Sequence, residues 1–305
     1  MKRVRIAAVE FHTAATRGAA DAPATVLRET REALDALHGY GIELVVLSEA
    51  VQETGQPPEA AESLAQPGPF LSLYAQFAAS ARCHVAGPIK LRDERGRHSS
   101  LAFFGPDGTT LGVYHKVFLT DTDLGRGTIP GLGPLVLDTA IGRLGGVVCF
   151  DLNFASLRQQ YRALRPDILA FASYYHGGLM QAMWAYDCRS FFVSSLPITG
   201  CGILDPFGRP VSLTHCYTRV ARADINLDRV MVHLDYNRQR FPEIERKYGD
   251  EVLIDVPPHI GPALIYSQSP ARTAADIARE FELTLLDDYL VRSEAHNAAA
   301  RGAPA

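Results

Sequence analysis

The chain has 305 residues, of which 47% are hydrophobic and 21% charged, with a formal net charge of −4. That is the composition of a globular protein with a sizeable core. The absence of any basic run argues against nucleic acid as a partner. No apolar stretch approaches the length of a membrane span, so no membrane association is expected. The five cysteines (Cys83, Cys149, Cys188, Cys201 and Cys216) are scattered and include no Cys-x-x-Cys pair, so they suggest neither a disulfide framework nor a zinc site. The charged start resembles the opening of a signal peptide, but Glu10 cuts its apolar part short, and a cytoplasmic location is expected.

Arg3 to Glu10 reads as a first strand. Asp21-Ala-Pro23 then signals a helix start, with Val26, Leu27, Ala33, Leu34 and Leu37 at helical spacing. Ile42 to Glu49 is an apolar strand ending in a carboxylate, and a polar loop through Gln56-Pro-Pro58 follows. Phe70 to Arg82 reads as a helix and His84 to Ile89 as a strand, with Arg92 to Arg97 as a charged, solvated hairpin tip. Ser100 to Phe104 and Thr110 to Tyr114 flank Pro106-Asp-Gly108, a hairpin signal, and Lys116 lies just beyond.

The run Leu144 to Val148 ends abruptly in Cys149, and Leu157 to Leu164 then shows helical spacing. Cys149 is therefore expected at a strand-to-helix elbow. Asp167 to Ala172 reads as another buried strand with Ser173-Tyr-Tyr-His-Gly-Gly178 at its end, followed by a helix over Met180 to Ser190. Phe191 to Leu196, Cys201 to Leu204 and Arg219 to Asn226 complete the strand pattern. The alternation points to a layered α/β architecture. Past Asp235 come a helix over Arg240 to Gly249, strands over Glu251 to Val256 and Ala263 to Tyr266, and a capping box at Thr273-Ala-Ala-Asp276.

Alone, Cys149 would be read as a core thiol, and Glu49 and Lys116 as solvated strand ends. In the order Glu, Lys, Cys, each closing an apolar strand, they resemble the triad of the nitrilase (carbon–nitrogen hydrolase) superfamily. The resemblance extends over Val4 to Glu10, Gly41 to Glu49, Gly105-Pro-Asp-Gly108, Tyr114-His-Lys116, Ile129-Pro-Gly131, Val148-Cys-Phe-Asp151 and Leu204-Asp-Pro-Phe-Gly-Arg209. It implies a four-layer α-β-β-α sandwich. It also implies a catalytic set of Glu49, Lys116 and Cys149, no cofactor and no metal, a small amide-type substrate, and a homodimer or higher assembly.

In such an enzyme Cys149 attacks the carbonyl carbon, Glu49 carries the proton, and Lys116 favours the thiolate and faces the developing oxyanion. The backbone N–H of Phe150 is the natural second oxyanion donor. Tyr174, Tyr175 and His176, at the end of the next strand, are expected to line the same cleft. His115, next to Lys116 on the strand, should face the other way. The sequence departs from the superfamily in three ways: Ser48-Glu49 stands where Pro-Glu is usual, Asn153-Phe-Ala-Ser156 stands where many members have Arg-x-Pro-Glu, and the third matters most. A second glutamate is usual between the lysine and the Pro-Gly turn, but Val117 to Pro130 holds only Asp121 and Asp123. Asp123 is expected to take part of that role, with Asp121 as fallback.

The expected organisation is a hydrolase domain over residues 1–236, an extension over 237–294 packed on that domain or on a neighbouring subunit, and a disordered tail over 295–305. The expected activity is cysteine-dependent hydrolysis of a small amide or N-carbamoyl compound through a thioester. The alternatives are nitrile hydrolysis or amide-forming acyl transfer on the same residues, and an inactive nitrilase-fold binding protein.

Overall fold

The computed structural model describes residues 2–57 and 59–302. The chain divides into a unit formed by Val4–Asp224 and a second unit built from Ile225 onward together with the first residues.

In the first unit the elements run β1 (Arg3–Val9), α1 (Ala22–Asp35), β2 (Leu44–Val46), α2 (Ala50–Gly55), α3 (Pro69–Ala81), β3 (His84–Asp93), β4 (Gly96–Phe104) and β5 (Thr110–His115). They continue with α4 (Asp121–Gly125), β6 (Val136–Thr139), β7 (Gly142–Val148), α5 (Ala155–Leu164), β8 (Ile168–Ala172), α6 (Leu179–Cys188), β9 (Phe191–Ser195), β10 (Gly202–Leu204), β11 (Pro210–Leu213) and β12 (Val220–Asn226). Among the described residues they form two six-stranded sheets, ordered β12-β1-β2-β3-β4-β5 and β11-β10-β9-β8-β7-β6. In each sheet three neighbouring strands are parallel, β1-β2-β3 in one and β7-β8-β9 in the other. These strands are buried almost end to end, which is why they read as continuous apolar runs.

The layers follow from which faces are apolar. Helices α1 and α3 cover the outer face of the first sheet, with Val26, Leu34, Phe70 and Tyr74 sharing a core with Val45 and Val85. On the outer face of the second sheet, Tyr161 of α5 packs against Gly145. The two inner faces meet where Gly146 of β7 lies against Phe103 of β4 and Tyr114 of β5. Hydrogen bonds also join the sheets: Phe11 N donates to Leu196 O at 3.0 Å, and the Ser48 hydroxyl donates to Ser173 O at 2.9 Å. The result is the α-β-β-α sandwich expected from the sequence.

Several elements differ from expectation. The polar loop expected after Glu49 begins as the short helix α2, with Glu49 at its N-cap. The segment after Lys116 contains α4, capped by a reciprocal Thr120–Asp123 box, a Thr-x-x-Asp signal that the sequence did carry. Strands β6 and β11 are short and partly exposed edge strands, too weakly apolar to stand out in sequence.

The second unit holds β13 (Arg229–His233), α7 (Phe241–Tyr248), β14 (Val252–Asp255), β15 (Pro262–Ser267), α8 (Ala274–Glu280) and α9 (Leu286–Ala300). Its antiparallel sheet, ordered β13-β15-β14, shares a core with Phe241, Ile244 and Ile277. The division expected at 236 would cut β13 away from its partner β15; the compact units part at 224 instead. The tail expected to be disordered from 295 is helical as far as Ala300, and 303–305 lie outside the described residues. Alanine is the strongest helix former, and Asp287 and Asp288 in the first turn favour the helix N-terminus. Among the described residues no helix is long and apolar enough to cross a membrane.

The close approach at Gly146 tests the packing of sheet on sheet. A Cβ there would lie 2.9 Å from the Phe103 ring and 3.1 Å from Tyr114 Cβ, with no flexible side-chain tip to move aside. Gly146→Ala should therefore lower the unfolding free energy by about 1–3 kcal/mol, read from denaturant titration.

Candidate active site

Three chain segments deliver the candidate groups to one end of the sandwich. Strand β2 and the turn into α2 carry Glu49, the end of β5 leads into Lys116, and β7 leads into Cys149. The first two belong to one sheet and the third to the other. Cys149 opens a 3-10 turn, Cys149–Asn153, and has a φ of 47°, the left-handed region that a residue with a side chain rarely adopts. Such strain persists only where neighbouring contacts over-determine it. Here the turn is held by Trp184, a fully buried core residue whose indole N–H donates to Leu152 O at 2.8 Å.

Asp151 secures the other side. Its buried carboxylate accepts from Tyr114 Oη at 2.7 Å, Phe118 N at 2.8 Å, Val117 N at 3.1 Å and Val148 N at 3.2 Å. One side chain thus fastens the segment after Lys116 to the strand that delivers Cys149. Burial pushes the Asp151 carboxyl up to about 6, against these hydrogen bonds.

Lys116 is 2% exposed, and its ammonium lies 3.3 Å from Glu49 Oε1 and 3.4 Å from Asp123 Oδ2. Burial by itself would lower its proton affinity; Glu49, Cys149, Asp123 and Asp151 outweigh that and keep it charged. For Glu49 burial dominates and raises its proton affinity, although Lys116 opposes the shift. The other Glu49 oxygen, Oε2, is buried without a hydrogen-bond partner among the described residues, and the Cys149 thiol is an electrostatic neighbour of the Glu49 carboxyl. Asp123 is half-buried. Burial would raise it, but Lys116 and the bonds from Thr120 hold its carboxyl below the usual range. Asp121 is exposed on the first turn of α4.

Lys116 favours the thiolate, as expected from the sequence, but it is outweighed. Burial pushes the Cys149 thiol up, Glu49 pushes it further, and the opposing pull of Lys116 leaves it at about 12. The resting group is a neutral thiol beside a carboxylate of raised proton affinity. That pairing suits proton transfer as a substrate binds better than it suits a standing thiolate.

The pocket residues separate. The Tyr174 backbone stabilises the thiolate form of Cys149, while its side chain is exposed. Tyr175 is half-buried near Cys149, and its hydroxyl accepts from Asn153 Nδ2 at 2.9 Å. His176 is exposed, its Nδ1 accepts from Gly178 N at 3.1 Å, and its ring lies against Gly200. Phe150 stands edge-on to Phe154 with ring centroids 5.2 Å apart, and Phe154 stacks on Phe118 at 3.6 Å. Sequence reading missed Phe118, Phe154 and the fastening role of Asp151. It also missed a recess beside Asp123 lined by Lys90, Arg97, Arg126 and Glu53. Lys90 is buried there, with its ammonium donating to Gln56 O at 2.8 Å and lying 3.8 Å from Glu53.

The two sheets thus bring a thiol, a carboxylate and an ammonium together near their strand ends. The chain belongs to the carbon–nitrogen hydrolase family, whose model matches residues 5–231. It is 24% identical over 280 residues to the omega-amidase NIT2 of Danio rerio, a match spanning 82% of this chain and 96% of that protein. The omega-amidase NIT2-A of Xenopus laevis is 27% identical over 217 residues, covering 61% of this chain and 78% of the relative. Among solved structures the fold is similar to Nit3 of Saccharomyces cerevisiae, with a TM-score of 0.63, 16% identity, and 79% and 95% of the two chains covered. It is equally similar to a mutant of the amidase from Nesterenkonia sp. AN1 that carries acrylamide on its active-site cysteine, with a TM-score of 0.63, 17% identity, and 80% and 99% covered.

The elevated thiol has a direct readout. Alkylation of Cys149 by iodoacetamide, followed by mass spectrometry, should keep accelerating through about pH 10. It should not level off at the ordinary thiol value of about 8.5, because the thiolate fraction goes on rising toward about 12. Lys116→Ala removes the charge that favours the thiolate and should slow the reaction further. Levelling below about pH 9 would mean that Lys116, not burial, governs the thiol.

Proposed function

We propose that the protein hydrolyses the terminal amide of a small omega-amide, a molecule bearing a carboxylate at its other end, through a thioester on Cys149. The observation that carries this reading is the buried Lys116 ammonium between Glu49 and Asp123, beside a thiol that only a neighbouring base can activate. Glu49 takes the Cys149 proton as Sγ attacks the amide carbon. Lys116 and the Phe150 amide N–H stabilise the tetrahedral oxyanion, a contribution typically on the order of 3 kcal/mol per donor. Collapse breaks the C–N bond, and Glu49 returns its proton to the departing nitrogen, releasing ammonia. A water molecule then gives a proton to Glu49 and attacks the thioester, which frees the carboxylic acid and restores the thiol.

One further support narrows the substrate. The relatives named above are omega-amidases. The experiment is ammonia release from a panel of omega-amides, matched amides lacking the carboxylate, and nitriles, with hydroxylamine as an acyl acceptor. Omega-amides should turn over fastest, and Cys149→Ala should abolish turnover while leaving the fold intact. Preference for nitriles or for transfer would replace the amidase reading, and inactivity on the whole panel would favour a binding protein.

Asp123 is proposed to stand in for the second glutamate by holding the Lys116 ammonium in place. Asp123→Asn should lower kcat/KM at least about tenfold, roughly 1.4 kcal/mol, while Asp121→Asn stays near wild type. Equal activity of both variants would remove Asp123 from the site.

A further inference from the structure

Three potential ligand atoms converge at the β3–β4 hairpin, beside the strand that leads into Lys116. Asp93 closes β3, His98 lies on β4 and His115 ends β5, and one donor atom of each lies within 4.8 Å of the other two. As a sequence the turn over 92–97 reads as a solvated tip. In the structure the imidazole of His98 is fully buried beneath it, while Asp93 and His115 remain reachable by solvent.

The hydrogen bonds decide how the ring nitrogens are used. His98 Nδ1 lies 2.8 Å from the carbonyl oxygen of Ile129, which can only accept, so Nδ1 carries the proton. In the neutral ring Nε2 then presents a lone pair, and it sits 3.0 Å from Asp93 Oδ1. Two acceptors at that separation repel unless a proton or a cation lies between them. His115 distinguishes the two: its Nδ1 lies 2.8 Å from the Ser100 hydroxyl, which can accept, and its Nε2 lies 3.7 Å from Asp93 Oδ2. A proton bridges two atoms, whereas a metal ion gathers three.

The surroundings favour the ion. A carbonyl or hydroxyl behind the far nitrogen is the arrangement that orients metal-bound histidines and fixes their tautomer. The backbone amides of Arg95 and Gly96 hold Asp93 Oδ1 at 2.8 and 3.2 Å, which fixes the carboxylate between the two rings. Two imidazoles and one carboxylate suit zinc, cobalt or nickel, whereas calcium and magnesium take oxygen ligands.

We propose that Asp93, His98 and His115 bind one divalent ion of the zinc class, with a fourth position open to water. The ion would tie the hairpin to the residue preceding Lys116 and so fix the backbone from which the ammonium projects. Ion binding here does not depend on the amide chemistry, although His98 also lines the recess beside Asp123.

The test is titration of the metal-stripped full chain with cobalt and then zinc, in a Cys149→Ala background so that the thiol does not compete. One ion per chain is expected, with the visible absorption of a four-coordinate cobalt site and a rise in Tm. Asp93→Asn and His115→Ala, both at partly exposed positions, should each weaken binding at least about tenfold, since outer-shell losses alone cost that much. Absence of a stoichiometric ion in the parent, or equal affinity of the parent and both variants, overturns the proposal.

Discussion

An ammonium almost wholly removed from water is the constraint on which the rest of this site depends. Lys116 is 2% exposed, and an unpaired charge at that depth would cost several kcal/mol. It is tolerated because Glu49 and Asp123 stand within 3.4 Å of it, each supplied by a different part of the chain. Glu49 comes from the end of a central parallel strand, and Asp123 from a short helix whose first turn is closed by the Thr120 capping box. If either carboxylate moved, the ammonium would lose its compensation, so its position is set by folding before any substrate arrives.

Asp151 extends that constraint across the sandwich. A carboxylate that accepts four hydrogen bonds from the Lys116 segment, from Tyr114 and from the Cys149 strand makes the two sheets one frame at this point. The glycines serve the same end. Gly146 lets Phe103 and Tyr114 close upon β7, and Gly131 approaches the His115 carbonyl so nearly that a side chain would strike the backbone. The strained turn at Cys149 is then held from one side by Trp184 and from the other by Asp151.

The electrostatics of the resting site follow from burial more than from pairing. Lysine alone would favour a thiolate, but desolvation and the adjacent Glu49 carboxylate act in the opposite direction and win. The three groups therefore form a coupled set in which burial raises the proton affinity of the thiol.

Local pattern in the sequence was enough for the buried parallel strands, the amphipathic helices and the elbow at Cys149, because short apolar runs and 3.6-residue spacing are properties of neighbouring residues. The order of Glu49, Lys116 and Cys149 along three strand ends was legible for the same reason, and their resemblance to a known superfamily supplied the sandwich. What the sequence left open was set by groups far apart in the chain. It put Asp123 ahead of Asp121 by alignment, but it could not give the contact of Asp123 with Lys116, because that depends on which face of a five-residue helix turns inward. It did not separate Tyr175, beside the thiol, from exposed His176, because a turn with two positive-φ glycines, Gly177 and Gly178, redirects the chain there. Nor did it reveal that a charged hairpin folds over a buried histidine, or that burial outweighs a lysine at the thiol. Desolvation and cross-sheet contacts exist only once the chain is packed, and they decided the chemistry of the site.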